Sequence, residues 1–397
     1  MAEAVIVEGV RTPIGRYGGV LASERPDDLA ALVLRALVDR VGLEPQELED
    51  VYLGCANRVG EDNRNVARMA ALLAGFPVEV GGCTVNRLCG SGLEAVVEAA
   101  RAISHGDGAA IIGGGVESMS RAPWVTPKPG QGYARGERIL HDTALGWRFI
   151  NPRMEALYGT DSMGQTAENV ARAFSIDRQS QDQFALGSHR RALAARARGA
   201  FSDELIPVET AQGTVAADEG PRADSSIERL AQLKPAFAAD GTVTAGNASP
   251  LNDGAAALLL TSPEFAASRG LRPMAAVRSM AVAGVPPELM GIGPIPATRK
   301  ALERAHLSLG DIDVIELNEA FAAQSLAVLQ GLGLEADDER VNPNGGAIAL
   351  GHPLGCSGSR ILVTLIHELT RRQLQFGLAT MCIGVGQGIA VVVENFR

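Results

Sequence analysis

The stretch CGSGLEAVVEAARAI, residues 89–103, returns in altered form as LGCSGSRILVTLIHEL, residues 354–369. The first copy follows a strand-like run, GCTV, and continues with apolar residues at helical spacing. When the two stretches are aligned, Ser91-Gly92 overlays Ser357-Gly358 at an offset of 266 residues. This match is the first indication of an internal duplication.

Two further pairs of similar stretches, here called echoes, occur in the same order along the chain. Val51 and Val314 each follow an acidic residue and open a strand-like run, and they lie 263 residues apart. IIGGGVES (111–118) and MCIGVGQG (381–388) are apolar runs that lead into glycines, 270 residues apart. Three echoes at nearly one offset indicate two similar halves. We expect an active site where equivalent loops of the halves meet.

Short apolar runs alternate with helical patterns, which predicts an α/β fold with mainly parallel sheets. The predicted strands are residues 5–10, 51–54, 109–112, 255–260, 314–317 and 389–393. The predicted helices are residues 27–41, 93–103, 167–174, 178–198, 297–306, 320–329 and 360–371.

The stretch 121–247 has no counterpart in the second half, and both of its ends are rich in proline, glycine and charge. It is therefore expected to be an inserted loop domain that lies over the core as a lid or ligand-binding subdomain. The predicted domains are a first half from residues 1–120 plus 248–268, this loop domain, and a second half from residues 269–397.

The composition excludes several classes of protein. Of the 397 residues 46% are hydrophobic, which is enough for a folded core and excludes intrinsic disorder. A net charge of −10 argues against a nucleic-acid or anionic-membrane partner. No apolar run approaches the roughly 18 residues of a membrane span, and the first residues lack the pattern of a secretory signal.

Five cysteines, an odd number, are spread widely along the chain. Their spacing fits neither a disulfide framework nor a zinc site. We therefore expect a reducing, cytoplasmic location and no bound metal. In such a location a notable cysteine is more often catalytic than structural.

Cys89 is the first candidate for chemistry. It lies in NRLCGSG, between a strand and an amphipathic helix. A cysteine at a helix N-terminus is close to the positive end of the helix dipole, which favours the thiolate and raises its nucleophilicity. The alternative is a buried structural cysteine at a tight turn.

The second half supplies two more candidates. His352 lies in the glycine-rich segment 342–358 and is suited to act as the base for a cysteine nucleophile, although it could also be a loop histidine that bonds backbone groups. Cys382 opens CIGVGQG, whose glycines can bring N–H groups towards an oxyanion. Its thiol is suited to exchange protons with a substrate, and the alternative is a core cysteine.

Two polar loops complete the set of candidates. Asn318, in NEAF directly after the predicted strand 314–317, is placed to orient a water or an intermediate, unless it simply caps a helix. Ser249, in the small and polar run 244–257, is suited to hydrogen-bond an amide-bearing ligand, unless this run is an ordinary loop.

Together these motifs resemble the thiolases, a family of acyl-CoA C-acyltransferases. The resemblance implies a thiolase-like fold, in which two duplicated βαβαβαββ halves form α-β-α-β-α layers with an inserted loop domain. The motifs that carry it occur in the family's order and span the chain: VRTPIG (10–15), NRLCGSG (86–92), GGVESMSRAP (114–123), TAGNAS (244–249), NEAF (318–321), GHPLG (351–355) and CIGVGQG (382–388).

The resemblance implies a role for each catalytic candidate. Cys89 is the expected nucleophile that takes the acyl group in a ping-pong reaction, and His352 is the expected base. With a water held by Asn318, His352 forms one oxyanion site, and the backbone N–H groups of Cys89 and Gly384 form the second. Cys382 is the expected acid and base that protonates the acetyl-CoA enolate and deprotonates CoA.

The resemblance also implies the partners. CoA or acetyl-CoA is the co-substrate, acyl-CoA thioesters are the substrates, no cofactor or metal is required, and the chain forms a homotetramer or at least a homodimer. Ser249 is expected to contact pantetheine, and Arg222 to lie near the nucleotide end of CoA. The expected lining of the CoA or acyl tunnel is Phe237, Met163, Ala320 and Phe321.

The acyl specificity is predicted from motif detail. Acetoacetyl-type thiolases carry a His-Met pair where this chain has Ser162-Met163, whereas DTALGWRFINP (142–152) and GTDSM (159–163) resemble the β-ketoadipyl-CoA thiolases of aromatic degradation. The expected substrate is therefore 3-oxoadipyl-CoA. The alternatives are acetoacetyl-CoA, because similar runs occur in bacterial acetyl-CoA acetyltransferases, and a 3-oxoacyl-CoA of fatty-acid β-oxidation.

An acidic acyl tail would require a nearby cation. Arg148 and Arg153 are candidates by position, and the alternative for each is a solvated surface charge. Pro250 and Cys356 depart from the commoner residues of the family, and Cys356, four residues from His352, is a candidate for oxidation.

Two other functions are alternatives to a thiolase. A ketoacyl synthase shares the duplicated fold but places a second histidine where this chain has NEAF, and a histidine or asparagine in place of Cys382. A non-catalytic acyl-CoA- or lipid-binding relative is the more remote alternative. The intact set of four reactive positions argues against it.

Overall fold

The structure, a computed structural model, describes residues 4–130, 132–133 and 135–396. Its strands are β1 (Val5–Arg11), β2 (Gly15–Arg16), β3 (Asp50–Gly54), β4 (Cys83–Val85), β5 (Ala110–Ser118), β6 (Trp124–Val125), β7 (His141–Asp142), β8 (Val208–Thr210), β9 (Gly213–Val215), β10 (Asn252–Thr261), β11 (Ala275–Gly284), β12 (Val314–Leu317), β13 (Phe376–Ile383) and β14 (Gln387–Asn395).

The helices alternate with these strands over much of the chain. They are α1 (Pro26–Val41), α2 (Val66–Leu73), α3 (Ser91–His105), α4 (Pro152–Tyr158), α5 (Met163–Ala173), α6 (Arg178–Ala197), α7 (Ile227–Ala231), α8 (Pro263–Arg269), α9 (Pro294–Ala305), α10 (Ala322–Leu332), α11 (Ala347–Leu350) and α12 (Leu354–Arg372). Short 3₁₀ turns lie at Pro45–Glu47, Pro287–Ile292 and Leu309–Asp311.

One large sheet holds most of the strands, and its order repeats. Along the sheet the order is β12, β13, β14, β11, β1, β10, β5, β3 and β4, with β2 paired beside β10. In the first half β3–β5 is parallel, and β5–β10 and β10–β1 are antiparallel. The second half has the same pattern in β12–β13, β13–β14 and β14–β11. The duplicated halves predicted from the sequence echoes are therefore present.

The prediction of mainly parallel sheets was wrong. The sheet is mixed, and each half combines parallel and antiparallel pairs. Parallel pairing requires a crossover connection, whereas β13 turns directly into β14 through residues 384–386 and so runs antiparallel to it. The halves meet where β1 pairs with β11 over Val5 and Ile6.

The helices form three layers around the two halves of the sheet. Helices α3 and α12 pack against each other at the centre, and both contribute buried apolar residues to one core. Helices α1 and α2 cover the outer face of the first half, and α9 and α10 cover the second. Strands β5 and β10 have helices on both faces, which explains why all of their residues are buried.

Most predicted elements exist, with changes in extent. The predicted strand at 109–112 is the nine-residue β5, and the predicted helix at 320–329 begins two residues later as α10. Strand β11 was not predicted, because its partly buried sequence AAVRSMAVAG contains an arginine and several small residues instead of a clear apolar run.

The segment between β5 and β10 carries β6 to β9 and α4 to α7. Within it α5 contacts α10 and the turn at 287–292, and α6 contacts α10 and α11. The segment therefore packs against the second half, next to the loops that hold the candidate residues. The exact division into three domains stays a prediction. None of the described helices is both long enough and apolar enough to cross a membrane.

Candidate active site

The glycines of the repeated motifs let the starts of α3 and α12 approach closely. A Cβ atom on Gly92 would lie 2.5 Å from the carbonyl oxygen of Gly355, and one on Gly115 would overlap the same oxygen. Residues with side chains cannot occupy such positions without moving the backbone. The contact brings the loop before α3, which carries Cys89, to the loop before α12, which carries His352.

The backbone around Cys89 is held by local hydrogen bonds. Leu88 has a left-handed φ of 48°, an uncommon conformation for a residue with a branched side chain. Its N–H donates to Asn86 Oδ1 at 2.9 Å, and its carbonyl accepts from the hydroxyl of Ser91 at 2.6 Å. Val385, directly after Gly384, also has a positive φ of 64°. Both reactive backbone segments are thus fixed in strained conformations, as is common at functional sites.

The thiol of Cys89 is neutral at rest. Burial raises its pKa to about 11, although hydrogen bonds from the backbone N–H groups of Gly384 and of Cys89 itself act in the opposite direction. The expectation that the start of α3 alone would favour the thiolate was therefore wrong, because desolvation of the charged form outweighs these dipoles. The nucleophile needs a base.

His352 is well placed to be that base. Its backbone N–H donates to Asn252 Oδ1 at 2.8 Å. Burial, together with the positive charge of Arg360, lowers the pKa of its imidazole to about 4. The ring is therefore neutral near pH 7, and it can accept a proton.

The hydroxyl of Ser357 fixes the tautomer of His352. Its Oγ lies 2.6 Å from Nδ1 of His352 and 2.8 Å from the carbonyl oxygen of Pro353. A carbonyl only accepts and a hydroxyl has one proton, so both contacts are satisfied when Nδ1–H donates to Oγ and Oγ–H donates to the carbonyl. Nε2 then carries the free lone pair. It is buried and has no hydrogen-bond partner among the described residues.

Cys382 lies at the end of β13, beside Cys89. Burial raises its pKa well above the ordinary value, and the nearby sulfur of Cys89 raises it further. Its side chain is almost completely buried, at 1% exposure. The two thiols are therefore close neighbours, and that of Cys382 is shielded from solvent.

Asn318 presents an unsatisfied amide next to this region. Its backbone N–H donates to Thr380 on β13, but neither polar atom of its buried side chain has a hydrogen-bond partner in the described structure. Helix α10 is capped by Phe321, so the alternative that Asn318 is a helix cap was wrong. Buried amides normally find partners, so this pair of atoms is suited to hold a water or a substrate oxygen.

A reaction cavity of about 60 Å³ brings the three chemical candidates together. Cys89, His352 and Cys382 all line it, although they are far apart in sequence. Of the binding candidates, Ser249, Met163, Ala320 and Phe321 line it as well. Asn318 and Gly384 do not line this cavity, and Gly384 lines the neighbouring one.

An outer cavity of about 520 Å³ leads to the reaction cavity and shares Pro250 and Leu251 with it. Arg222 lines this outer cavity, and its backbone N–H donates to Nδ1 of His189 at 3.2 Å. Phe237 lines neither cavity. It lies edge-on to the Phe321 ring, with 6.3 Å between centroids.

An inner cavity of about 190 Å³ opens on the other side of Cys89. It shares Cys89, Met163, Leu145 and Leu354 with the reaction cavity. The remaining lining includes Leu88, Trp147 and Arg148. The three cavities are thus contiguous: the outer cavity, lined by several arginines, and the inner cavity both adjoin the reaction cavity that holds the two thiols and the imidazole.

Several residues of the site were missed by the sequence analysis. Ser357 belongs to the Ser-Gly pair that both halves contain. This repetition is the sequence signal that could have identified it as part of the site. Glu117 accepts from the N–H groups of Ala56, Asn57 and Gly355, and burial raises its pKa to about 7. Its oxygens thereby tie the wall of the inner cavity to the start of α12.

Cys356 does not have the character of a reactive thiol. It is fully buried, and burial raises its pKa to about 12, which disfavours the thiolate that oxidation requires.

Arg16 and Arg229 were also missed. They line the outer cavity together with Arg222, but nothing in their sequence context marked them.

The chain is similar to known proteins over nearly its whole length. Residues 4–264 match the family model described as the thiolase N-terminal domain, and residues 271–395 match the thiolase C-terminal domain. A 3-oxoadipyl-CoA/3-oxo-5,6-dehydrosuberyl-CoA thiolase of Escherichia coli is 57% identical over 401 residues and covers 100% of both chains. A beta-ketoadipyl-CoA thiolase of Pseudomonas knackmussii is 56% identical, with 99% of each chain covered. The crystal structure of the Bacillus anthracis acetyl-CoA acetyltransferase has a TM-score of 0.93 at 46% identity, covering 100% of this chain and 99% of that one.

Proposed function

The chain belongs to the thiolase family of acyltransferases, and we propose that it cleaves 3-oxoadipyl-CoA with CoA to acetyl-CoA and succinyl-CoA. One observation carries this proposal, namely that Cys89, His352 and Cys382 line one small cavity that adjoins both the arginine-lined outer cavity and the inner cavity. The names of the relatives support 3-oxoadipyl-CoA as the substrate.

The first step forms the nucleophile. Nε2 of His352 takes the proton of the Cys89 thiol, so that a neutral pair becomes a thiolate and an imidazolium. The thiolate attacks the C3 carbonyl carbon of the substrate. The alkoxide that develops accepts hydrogen bonds from the N–H groups of Cys89 and Gly384, the same groups that act on the sulfur at rest.

The second step breaks the carbon–carbon bond. When the alkoxide collapses to a thioester on Cys89, the C2–C3 electron pair leaves as the enolate of acetyl-CoA. The protonated Nε2 of His352 and a water held by Asn318 stabilise the enolate oxygen. The thiol of Cys382 then protonates C2, which releases acetyl-CoA and leaves Cys382 as a thiolate.

The third step returns the enzyme to its starting state. The Cys382 thiolate takes the proton of an incoming CoA thiol, and the CoA thiolate attacks the acyl group on Cys89. Succinyl-CoA leaves, and the Cys89 sulfur recovers its proton from His352. The reaction thus moves only protons and an acyl group, with CoA as the co-substrate. Run in reverse, the same steps are a Claisen condensation.

The outer cavity is proposed to bind CoA. Arg16, Arg222 and Arg229 supply cations for its phosphates, and the side chain of Asp224 already pairs with Arg229. Ser249, whose N–H donates to the Ala320 carbonyl at 3.0 Å, is proposed to contact pantetheine at the entrance of the reaction cavity.

A second candidate substrate is acetoacetyl-CoA. The likeness to the Bacillus anthracis acetyl-CoA acetyltransferase favours it. At the position of the His-Met pair, however, Ser162 caps α5 by accepting from the N–H of Gln165. A serine in that role offers no imidazole to a short acyl group. The third candidate substrate is a 3-oxoacyl-CoA of fatty-acid β-oxidation, which no name among these relatives supports.

Assembly and location are part of the same proposal. We infer a homotetramer, supported by the exposed apolar side chains Trp124, Ile139 and Leu157, which are 64%, 70% and 68% exposed in the single chain. A monomeric sedimentation profile would contradict it. A cytoplasmic location agrees with five free cysteines.

The test is CoA-dependent cleavage of three 3-oxoacyl-CoA substrates by the purified enzyme. We expect the highest kcat/KM for 3-oxoadipyl-CoA, and lower values for acetoacetyl-CoA and for a medium-chain substrate. The matched control is Cys89→Ala, which should abolish all three activities. A preference for acetoacetyl-CoA or for the medium chain would overturn the substrate assignment.

A further inference from the structure

We propose that Arg148 determines acyl specificity by binding the terminal carboxylate of the substrate's acyl group in the inner cavity. The proposal rests on the proposed function, because it concerns the acyl group that Cys89 would carry. It assigns a recognition role to a cation that no step of the chemistry uses.

The position of Arg148 is the first observation. It lines the inner cavity that Cys89 also lines, and it is half-buried there. Among the described residues that line this cavity it is the only cation. It forms no ion pair or hydrogen bond with another described residue, whereas the structure pairs many of its other arginines with carboxylates.

The loop that carries Arg148 is anchored beside it. The indole N–H of Trp147 donates to the carbonyl of Asp161 at 3.2 Å. Asn57, which also lines the inner cavity, donates from its amide to the carbonyl and hydroxyl of Thr143, both at 3.3 Å. The guanidinium is therefore presented by a fixed loop, and its five donors remain available for a carboxylate.

The size of the inner cavity fits a four-carbon acyl group. A volume of about 190 Å³ corresponds to a sphere about 7 Å across. The three C–C bonds of a succinyl group, each about 1.5 Å long, span about 4 Å in total. A succinyl group on Cys89 thus fits within the volume of this cavity.

The charges of the lining favour the Arg148 side of the inner cavity for the carboxylate. Glu117 also lines this cavity, and it accepts hydrogen bonds from three backbone N–H groups and from the Cys55 thiol, none of which carries a positive charge. Burial raises the pKa of Glu117 to about 7, so this group is partly ionised near pH 7 and would repel a substrate carboxylate beside it. Beside Arg148 the substrate carboxylate gains a charge-assisted, two-point hydrogen bond in a partly desolvated site.

Arg153, the other cation suggested by position, is excluded from this role. It lies exposed in the seven-residue helix α4 and does not line the inner cavity. It therefore serves as a matched control, since it is an arginine in the same segment, five positions away.

The experiment compares Arg148→Gln, Arg148→Lys and Arg153→Gln with the wild-type enzyme. The substrates are 3-oxoadipyl-CoA and 3-oxohexanoyl-CoA, which has the same chain length with a methyl group in place of the carboxylate. We expect Arg148→Gln to lower kcat/KM for 3-oxoadipyl-CoA by about 10- to 100-fold and to leave 3-oxohexanoyl-CoA within about twofold. Arg148→Lys should recover part of the loss, and Arg153→Gln should resemble wild type.

The two proposals fail in different ways. If the wild-type enzyme shows no preference for 3-oxoadipyl-CoA, the proposed substrate is wrong. If it shows the preference and Arg148→Gln keeps it, the substrate stands and the role of Arg148 is wrong. A loss of equal size on both substrates would show that Arg148 supports the loop instead of reading the carboxylate, and would also overturn the inference.

Discussion

Replacement of Ser357 by alanine tests whether a hydroxyl on α12 prepares His352 to act as a base. In the wild-type enzyme Oγ of Ser357 lies 2.6 Å from Nδ1 and 2.8 Å from the Pro353 carbonyl. The alanine variant leaves the buried Nδ1–H without an acceptor. The imidazole can then adopt the other tautomer. In that form Nε2 carries the proton and cannot take one from Cys89.

The size of the effect follows from the hydrogen bond that is lost. An unsatisfied buried donor costs about 1–3 kcal/mol. The Nδ1–H bond also strengthens as Nε2 gains its proton, because the ring becomes cationic, so the loss falls mainly on the transition state. We therefore expect kcat/KM to fall by about 5- to 150-fold.

The assay combines turnover with alkylation of Cys89, followed by mass spectrometry of the Cys89 peptide. A weaker base should slow the alkylation of Cys89 in Ser357→Ala. A loosened fold would do the opposite, because it would expose the buried thiols Cys356 and Cys382 and speed their reaction. The direction of the change therefore separates a positioning role from a structural one.

The matched control is Ser359→Ala, on the same helix. Ser359 is also fully buried, and its hydroxyl donates to the Cys356 carbonyl at 2.8 Å without contacting His352. It should leave Cys89 alkylation unchanged. The reasoning is refuted if Ser357→Ala keeps wild-type kcat/KM, or if the two variants lose activity equally.

The other predictions concern the remaining groups of the site. The pKa of His352 is lowered from 6.5 to about 4, so the neutral base is present above about pH 5; kcat/KM in a pH titration should stay level down to that point, and an acid limb near pH 6.5 would contradict the assignment. Cys382→Ser should lower kcat by about 10²- to 10⁴-fold while Cys89 still becomes acylated, as mass spectrometry of the intact protein would show; loss of acylation itself would give Cys382 a different role. Asn318→Ala should lower kcat by about 10²- to 10³-fold with unchanged stability, and wild-type kcat would remove Asn318 from the oxyanion site. Gly92→Ala should lower the free energy of unfolding in urea by about 1–3 kcal/mol, because its Cβ would lie 2.5 Å from the Gly355 oxygen; an unchanged midpoint would show that α3 and α12 can move apart freely.

The nucleophile and its base are both uncharged in the resting enzyme, and this has a chemical advantage. Burial raises the pKa of Cys89 to about 11 and lowers that of His352 to about 4, so neither group carries charge until substrate arrives. A buried ion pair without substrate would cost desolvation free energy in the free enzyme. The donors that stabilise negative charge are instead backbone N–H groups, which are in place before the reaction begins.

The sequence by itself determined the duplicated α/β fold and the chemical groups. The repeated Ser-Gly pair at residues 91 and 357 predicted two halves, because a duplicated unit keeps its turn residues and its apolar spacing even after most side chains have changed. The four motifs around Cys89, Asn318, His352 and Cys382 predicted the family, because this chemistry requires these residue types. Such information is local along the chain.

Only the tertiary structure decided how these groups act on one another. The pKa of Cys89 depends on burial by residues hundreds of positions away, so the helix dipole, which is visible in the sequence, proved the weaker effect. The mixed sheet, the tautomer of His352 and the choice of Arg148 over Arg153 likewise depend on which loops meet in space. Spacing along a chain fixes neither the desolvation of a group nor the cavity that its side chain lines, because both arise from packing between distant segments.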